Sequence, residues 1–576
     1  MSEEKKETMN GGDLLIKALL AENVRYIFGI PGGQLLTMYD AVYRFGREEG
    51  LDSLMFQHEA GAAHACDAWA RVTGFPAVCF GTVGPGALNL IAGVGAAWGD
   101  NIPMVVLVPQ CGKAVKDRFT LQGGLDQITM YKPVTKYQKH VEDTEDIPDA
   151  VKKAFRETIS GRPRPVFLEI QEDALFGKTD KKFIFPNPES YRFMGRIAGD
   201  PNLIEQACEL ILKAEKPLMI AGGGVIRSEA WPEFQELSEY LGIAAGTTIQ
   251  GIGSIPITSE TALGSAVTSM MQAITQTDVV LALGMKFSWA MGFGAEPFWN
   301  KKTKVIHVDI DPTIIGRNRP VDIGIVGDCK LVLQQMLKII KQKAKKIETT
   351  SDWVKSLRAA RESNVKTLIK KASKEKTPMR PQSMLKKVFE FIDEDAILAL
   401  DGGDLHVFAM EYIDIFKPRP PRATLTAGVG MGQLGTAIPY AIGAKLAANH
   451  LGQPDRQVVT ITGDGAFMIN VQELATAKRY NLPIICVVGN NSAWGMIKSG
   501  QKLLMKKRFI DVDFEDVNYA EIAKGFGCYG ERITDPNEIK PALQRALDSK
   551  LPAVLDIIIA FETPEALTLM AQMGVL

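Results

Sequence analysis

A chain of 576 residues with 46% hydrophobic and 23% charged residues has room for about three or four domains and the make-up of a globular protein. Its 66 Lys and Arg nearly balance 67 Asp and Glu, so the net charge of -1 creates no field that would draw nucleic acid or an anionic membrane. Seven scattered cysteines, with no CxxC pair and no Cys/His ligand spacing, argue against a zinc site or a disulfide framework and suit a reducing compartment.

The N-terminal MSEEKKETMNGG is charged and lacks the apolar core of a secretory signal, so the protein is expected in the cytoplasm. Residues 13–179 then alternate strand and helix patterns. A helix over 14–22 leads to the strand VRYIFGI, the turn Pro31-Gly32-Gly33 and a helix over 35–44. The strand SLMFQ delivers His58-Glu59 into AGAAHACDAWAR, PAVCFGT turns through VGPGALNL into a helix, and PMVVLVP and PVFLEI close the set. Such alternation implies a parallel, doubly wound sheet. Residues 77–99 carry no charge, but six glycines, Pro85 and Asn89 there speak for a buried strand, turn and helix, and against a membrane span.

Residues 180–194, with two prolines, read as a linker. A second α/β unit follows over about 200–340, with PLMIAGGGVIRS running into Gly222-Gly223-Gly224 and KVIHVDIDP ending on acids. It has a Rossmann-like, nucleotide-binding pattern without the full dinucleotide fingerprint. Within the Lys-rich stretch 337–376, the most basic run, KIIKQKAKK, reads as a solvated helix face and not as a nucleic-acid patch. A third unit occupies about 380–560 and shares with the first an uncharged, Gly-rich strand–turn–helix. The expected fold class is therefore α/β, with three doubly wound parallel-sheet domains at 1–179, 196–345 and 380–576.

Inside the third unit, Val458, Val459 and Ile461 form a strand ended by Gly463, and residues 484–488 form another. Between them Asn470, with Glu473 three residues on, has the form of a helix N-cap ahead of a helix over 471–480. A right-handed crossover puts Asp464 and Asn491 at the same carboxyl edge of one sheet. A carboxylate and an amide carbonyl are hard oxygen ligands, and Gly463 and Gly465 let backbone N–H groups approach an anion. The set suits Mg²⁺ bridging a diphosphate. GDG and Asn-Asn each occur elsewhere as plain turns; together, 27 residues apart, they are far more specific.

That spacing resembles the diphosphate–metal signature of thiamine-diphosphate (ThDP) enzymes, and FMINVQELATAKRYNLPI resembles their acetolactate synthase branch. The resemblance spans nearly the whole chain, as pyrimidine-binding, central and diphosphate-binding domains. It reaches the group that joins acetolactate synthase with the 2-hydroxyacyl-CoA and oxalyl-CoA lyases. It implies Mg²⁺ at Asp464, Asn491 and Ala493, and ThDP against Gly32, Gly33, Asn89, Gly403, Gly432, Leu434, Gly463, Gly465 and Ala466. The segment FQHEAGAAHACDAWARVTG resembles the one holding the glutamate that faces the aminopyrimidine ring nitrogen, which assigns that role to Glu59. Read locally, Glu59 is a helix-entry carboxylate in small apolar company, costly to bury as an anion without a partner. His58 is the one histidine considered for a proton role, and Phe467 and Met468 read as pocket wall.

The resemblance further implies a homodimer or homotetramer with active sites shared between subunits, FAD or ADP in the central domain, and a C-terminal lid. The lid would be a helix capped by Thr563 with Pro564 at its first position and Leu567, Met570, Ala571 and Gly574 on one face. In this group a 2-oxo or 2-hydroxyacyl substrate adds to C2 of ThDP and loses CO₂ or a formyl or aldehyde carbon. Phe287-Ser288-Trp289-Ala290 stands where acetolactate synthases carry a carboxylate-reading Arg in Phe-Asp-Asp-Arg, and Leu121-Gln122-Gly123-Gly124 replaces a Phe-Gln-Glu string. On that ground a 2-hydroxyacyl-CoA lyase-like reaction is expected, with acetolactate synthesis from two pyruvates as the alternative. Lys506-Lys507-Arg508 is the one candidate for a CoA phosphate, and equally a plain surface cluster.

Overall fold

The computed structural model describes residues 8–115, 118, 120–264, 267–374, 376–426 and 430–572. They form two compact units: Met1–Met194 with Gly430–Pro454 and Met468–Leu482, and Gly195–Val429 with Asp455–Phe467 and Pro483–Leu576. Two segments of the third sequence domain thus cluster with the first.

The first unit is built on a six-stranded sheet of β1 (Tyr26–Gly29), β2 (Asp52–Met55), β3 (Ala77–Phe80), β4 (Met104–Gln110), β5 (Gln138–Val141) and β6 (Pro165–Gln171). All pairs are parallel, in the order β2-β1-β3-β4-β6-β5. β5 escaped the sequence reading because QKHV is a polar, half-exposed edge strand with no apolar run to mark it. Helix α1 (Glu59–Thr73) packs on α2 (Pro85–Asp100) and on α4 (Ala437–His450). Small residues make these crossings close. A Cβ at Gly93 would lie 2.5 Å from that of Ala63, and one at Gly443 would lie 2.1 Å from the Ala65 carbonyl oxygen. A buried cluster joins the three helices: Arg71 pairs with Asp67 (2.6 Å) and Asp100 (2.9 Å), and the Tyr440 hydroxyl donates to Asp67 (2.7 Å). Breaking such a cluster strands buried charge, so it holds the three helices in one arrangement.

The second unit contains two further parallel sheets. The central one comprises β7 (Pro217–Ala221), β8 (Ala244–Thr247), β9 (Ala262–Gly264), β10 (Val279–Leu283), β11 (Lys304–Asp309) and β12 (Ile323–Val326), ordered β9-β8-β7-β10-β11-β12. This is the doubly wound 3-2-1-4-5-6 arrangement. Met219, Ala221, Leu281 and Leu283 face one core, and Leu218, Ile220, Val280 and Ala282 face another, so both faces are covered. The third sheet comprises β13 (Ile397–Leu400), β14 (Thr424–Thr426), β15 (Val458–Gly463), β16 (Ile485–Asn490), β17 (Tyr529–Ile533) and β18 (Ala553–Ile558). Its order β14-β13-β15-β16-β18-β17 repeats that of the first sheet strand for strand, as the shared Gly-rich layout implied. In the run KIIKQKAKK the lysines are exposed while Ile340 is buried, with Lys341 paired to Glu236 (2.5 Å) and Lys343 to Glu205 (2.8 Å). Among the described residues no helix is long and apolar enough to cross a membrane.

Candidate functional site

In sheets of this order the chain winds one way from its first strand and then the other, leaving a crevice at the carboxyl ends where the direction reverses. In the third sheet the reversal lies between β13 and β15. The loops there are Asp401-Gly402-Gly403-Asp404 and Gly463-Asp464-Gly465, and β16 beside them ends at Asn490-Asn491. The parallel register pairs Gly463 with Gly489, which brings Asp464 level with the Asn491 turn.

Asp464 is buried at the start of α5 (Asp464–Ile469). One carboxylate oxygen accepts from Gly465 N–H (2.8 Å), the other from Asn491 N–H (3.1 Å) and Ala493 N–H (3.2 Å). All three residues of the expected metal set therefore meet. Burial pushes the Asp464 carboxyl up to about 6 against these hydrogen bonds, with the nearby Asp404 charge adding to the rise. Ser492, between the two ligand positions, is held at φ 50, a left-handed strain that a serine adopts when its surroundings demand it.

Asp404 is a residue that sequence reasoning passed over, although its neighbour Gly403 was expected at the cofactor. It opens α3 (Asp404–Tyr412), is buried, and has its carboxyl pushed to about 6 by that burial, opposed by hydrogen bonds that include the Asn491 side chain. Its carboxylate rests on the first turn of α7 (Gly495–Leu504), where a Cβ at Gly495 would lie 1.9 Å from Oδ2. His406, two residues on from Asp404, is kept neutral by burial, its pKa lowered to about 4, and its Nδ1 lies 3.1 Å from the Asp401 carbonyl.

These residues fit a hard divalent cation with a diphosphate. Among the described residues the Asn491 Oδ1 atom is buried with no hydrogen-bond donor, an orphaned acceptor that a cation would complete. No three His, Cys, Asp or Glu side chains converge there or elsewhere among the described residues, so a cation would rely on amide and main-chain oxygens beside Asp464. Gly463 and Gly403 face open space where a Cβ would stand, as a phosphate cradle requires. Gly465 differs: a Cβ there would meet the Trp494 ring at 2.7 Å, so its glycine serves packing. Ala466 is buried beside it.

In the first sheet the reversal lies between β1 and β3, at Pro31-Gly32-Gly33 and Gly81–Gly86. Gly33 faces open space, whereas a Cβ at Gly32 would meet the Thr82 side chain at 2.6 Å. Glu59, buried as the first residue of α1, receives a hydrogen bond from the Asn89 amide (Nδ2–Oε2 2.9 Å). Asn89, expected at the cofactor, is thus the partner of Glu59. His58 is the N-cap, its Nδ1 accepting from Ala60 N–H (3.1 Å), which commits that nitrogen to the helix end. Gly432 (φ 70) faces open space and Leu434 is half-buried. Residues 427–429 of the same Gly-rich segment lie outside the described residues, as does Gly574 of the tail.

Asn470 is not the N-cap that its spacing implied. Helix α6 (Glu473–Arg479) starts after Gln472 without a side-chain cap, and the Asn470 amide donates to the Gly435 carbonyl (2.7 Å). Glu473 instead reaches the chain ahead of Glu59. In the central domain, Gly222 and Gly224 are accounted for by packing, since a Cβ on either would strike Gly284 at 2.2 and 2.6 Å.

Known sequences agree with this geometry. Residues 9–130, 204–336 and 401–557 match, in turn, the N-terminal TPP binding, central and C-terminal TPP binding domains of thiamine pyrophosphate (ThDP) enzymes. Over 573 residues the chain is 35% identical to the probable acetolactate synthase large subunit of Methanococcus aeolicus, covering 96% of this chain and 92% of that one. It is 34% identical to the corresponding protein of Methanocaldococcus jannaschii (98% and 94%), and 31% identical to the acetolactate synthase isozyme 3 large subunit of Escherichia coli K12 (94% and 93%). These similarities favour the acetolactate synthase alternative over the expected acyl-CoA lyase. With all three domains matched in order, the chain belongs to the thiamine-diphosphate-dependent enzymes that make or break C–C bonds.

Proposed function

We propose that the protein is a Mg²⁺- and ThDP-dependent carboligase of the acetolactate synthase type, which joins two pyruvates into 2-acetolactate with loss of CO₂. The observation that carries this reading is similarity along almost the whole chain to acetolactate synthase large subunits. ThDP, when bound, supplies the carbon nucleophile that adds to the donor's carbonyl. Glu59 holds a proton at the aminopyrimidine ring nitrogen, and Asn89 holds Glu59. Asp464, the Asn491 amide oxygen and the Ala493 carbonyl bind Mg²⁺. The Ala466 backbone N–H and the open edges at Gly463 and Gly403 take the diphosphate, Gly465 packs beside them with its N–H on Asp464, and Gly32, Gly33, Gly432 and Leu434 line the rings. The tail helix α8 (Glu565–Gln572) closes the mouth against water. The working form is a homodimer or homotetramer with shared sites, and a small regulatory subunit belongs to the same reading. FAD or ADP in the central domain is tested by the visible absorbance of the purified protein, since packing already accounts for Gly222 and Gly224.

One observation favours a second reading, the 2-hydroxyacyl-CoA lyase. The turn Trp289–Gly294 carries no arginine, and nearby Arg319 donates to the carbonyls of Gly294 (2.6 Å), Asn300 (2.9 Å) and Thr303 (3.0 Å). Its guanidinium is thereby committed to the fold and does not read a substrate carboxylate. Purified enzyme given pyruvate alone separates the two. Efficient 2-acetolactate formation is the expected result, and turnover of a 2-hydroxyacyl-CoA with none from pyruvate would overturn the carboligase.

A further inference from the structure

We propose that Glu473 is a positioning residue that sets the entry of α1 and thereby the pose of Glu59. The chain leaves the first sheet after Phe56, whose N–H still bonds the Gly29 carbonyl (3.0 Å). The next two N–H groups turn away from the sheet and meet the Glu473 carboxylate. Oε1 accepts from Gln57 (3.2 Å) and His58 (3.0 Å), and Oε2 lies 3.3 Å from the Gln57 nitrogen. The Thr476 hydroxyl donates to Oε2 (2.6 Å) and fixes the rotamer from within α6. At that helix's C-cap, Tyr480 takes the N–H of Met55 through its hydroxyl (2.6 Å). One short helix thus holds residues 55, 57 and 58 by their backbone, immediately ahead of Glu59.

Gly61 is an independent mark of this arrangement. A Cβ at that position would lie 2.5 Å from Glu473 Oε1, so the carboxylate fits because residue 61 has no side chain. The N–H groups of Gln57 and His58 have left the sheet ladder and would lose these acceptors without Glu473, which is itself fully buried. His58 caps the helix with its side chain while Glu473 holds its main chain, so both constraints converge on the residue before Glu59. Burial also pushes the Glu473 carboxyl up to about 7, and a protonated acid keeps a carbonyl oxygen for these donors. Glu473 touches neither reacting atoms nor cofactor; it acts through Glu59.

The inference rests on the reading of Glu59 as the proton-holding acid, so Glu59→Gln is the benchmark. The readouts are exchange of the C2 proton of bound ThDP with deuterated water, kcat and KM for pyruvate, and ThDP affinity by calorimetry. Glu59→Gln is expected to slow exchange by about 10²–10⁴-fold. Glu473→Ala should slow exchange and kcat by about 10–100-fold, because a small misplacement of an acid costs that much. It should leave KM and ThDP affinity within about three-fold, since uniform binding is untouched. Glu473→Gln should recover exchange to within about three-fold of wild type, its amide oxygen accepting as before while the Thr476 hydroxyl turns to accept. Gly61→Ala, which pushes the carboxylate away without deleting it, should behave like Glu473→Ala and carries the same thresholds if that variant does not fold. Exchange within about two-fold of wild type in Glu473→Ala, or a Glu473→Gln as impaired as the Ala variant, overturns the proposal. Normal exchange in Glu59→Gln would overturn the reading of Glu59 and the proposal with it, whereas an impaired Glu59→Gln beside an unimpaired Glu473→Ala removes the proposal alone.

Discussion

At the scale of single residues, the proposed metal and diphosphate site rests on Asp464. Its two oxygens are oriented by three backbone N–H groups, so the carboxylate is in place before any cation arrives. Replacing it by Ala removes one of the few protein oxygens offered to Mg²⁺ and leaves the Asn491 and Ala493 N–H groups without their acceptor. Asp464→Ala is therefore expected to abolish Mg²⁺-dependent ThDP binding, measured by calorimetry, while the protein stays folded by circular dichroism. Unchanged affinity would remove Asp464 from the metal site. Asp404 supports the same corner through the Asn491 side chain.

At the scale of elements, α6 gives a pH signature. The Glu473 carboxyl ordinarily ionises near 4.5 and is pushed to about 7 by burial, opposed by the hydrogen bonds from Thr476, Gln57 and His58 and reinforced by the charge of Glu59. The folded protein then holds this proton more tightly than the unfolded chain. Stability from this residue is present below the unfolded pKa and is lost as pH rises through the folded value, that is from 4.5 to about 7. The denaturant midpoint should fall across that window, and Glu473→Gln should flatten the fall; an identical slope in both would refute the assignment. The tail is a second element with a test. Leu567 of α8 is buried, the Thr563 hydroxyl accepts from Lys502 (3.3 Å), and Glu562 pairs with Arg380 (2.8 Å). Deleting residues 562–576 is expected to lower turnover or raise wasteful protonation without unfolding the sheets, and wild-type kinetics with an unchanged product ratio would rule the lid out.

At the scale of the whole molecule, the first and third sheets have one strand order, and each offers its reversal point as a crevice. The acid, Glu59, belongs to the first unit, and the residues proposed to hold the metal belong to the second. In the proposed reading they complete one another across a symmetric pair of chains, so light scattering at micromolar concentration should give at least twice the 63.0 kDa of one chain. A monomer that remains fully active would contradict shared sites.

The sequence by itself determined the α/β class, the three sheets and the edge that gathers Asp464 and Asn491. Each of these follows from local signals: apolar runs of strand length, glycines where a strand must turn, and a crossover of one hand. The placing of Glu59 at the start of a helix was legible for the same reason. Asn470 shows where local signals stop, because its cap spacing was correct and its amide went instead to Gly435, 35 residues away in the chain. Only the tertiary structure decided that Asn89 partners Glu59, that Asp404 braces the Asn491 side chain, and that Glu473 reaches back 415 residues to His58. Those bonds join groups far apart along the chain, and a buried polar side chain takes whatever donor the packing of the helices brings to it.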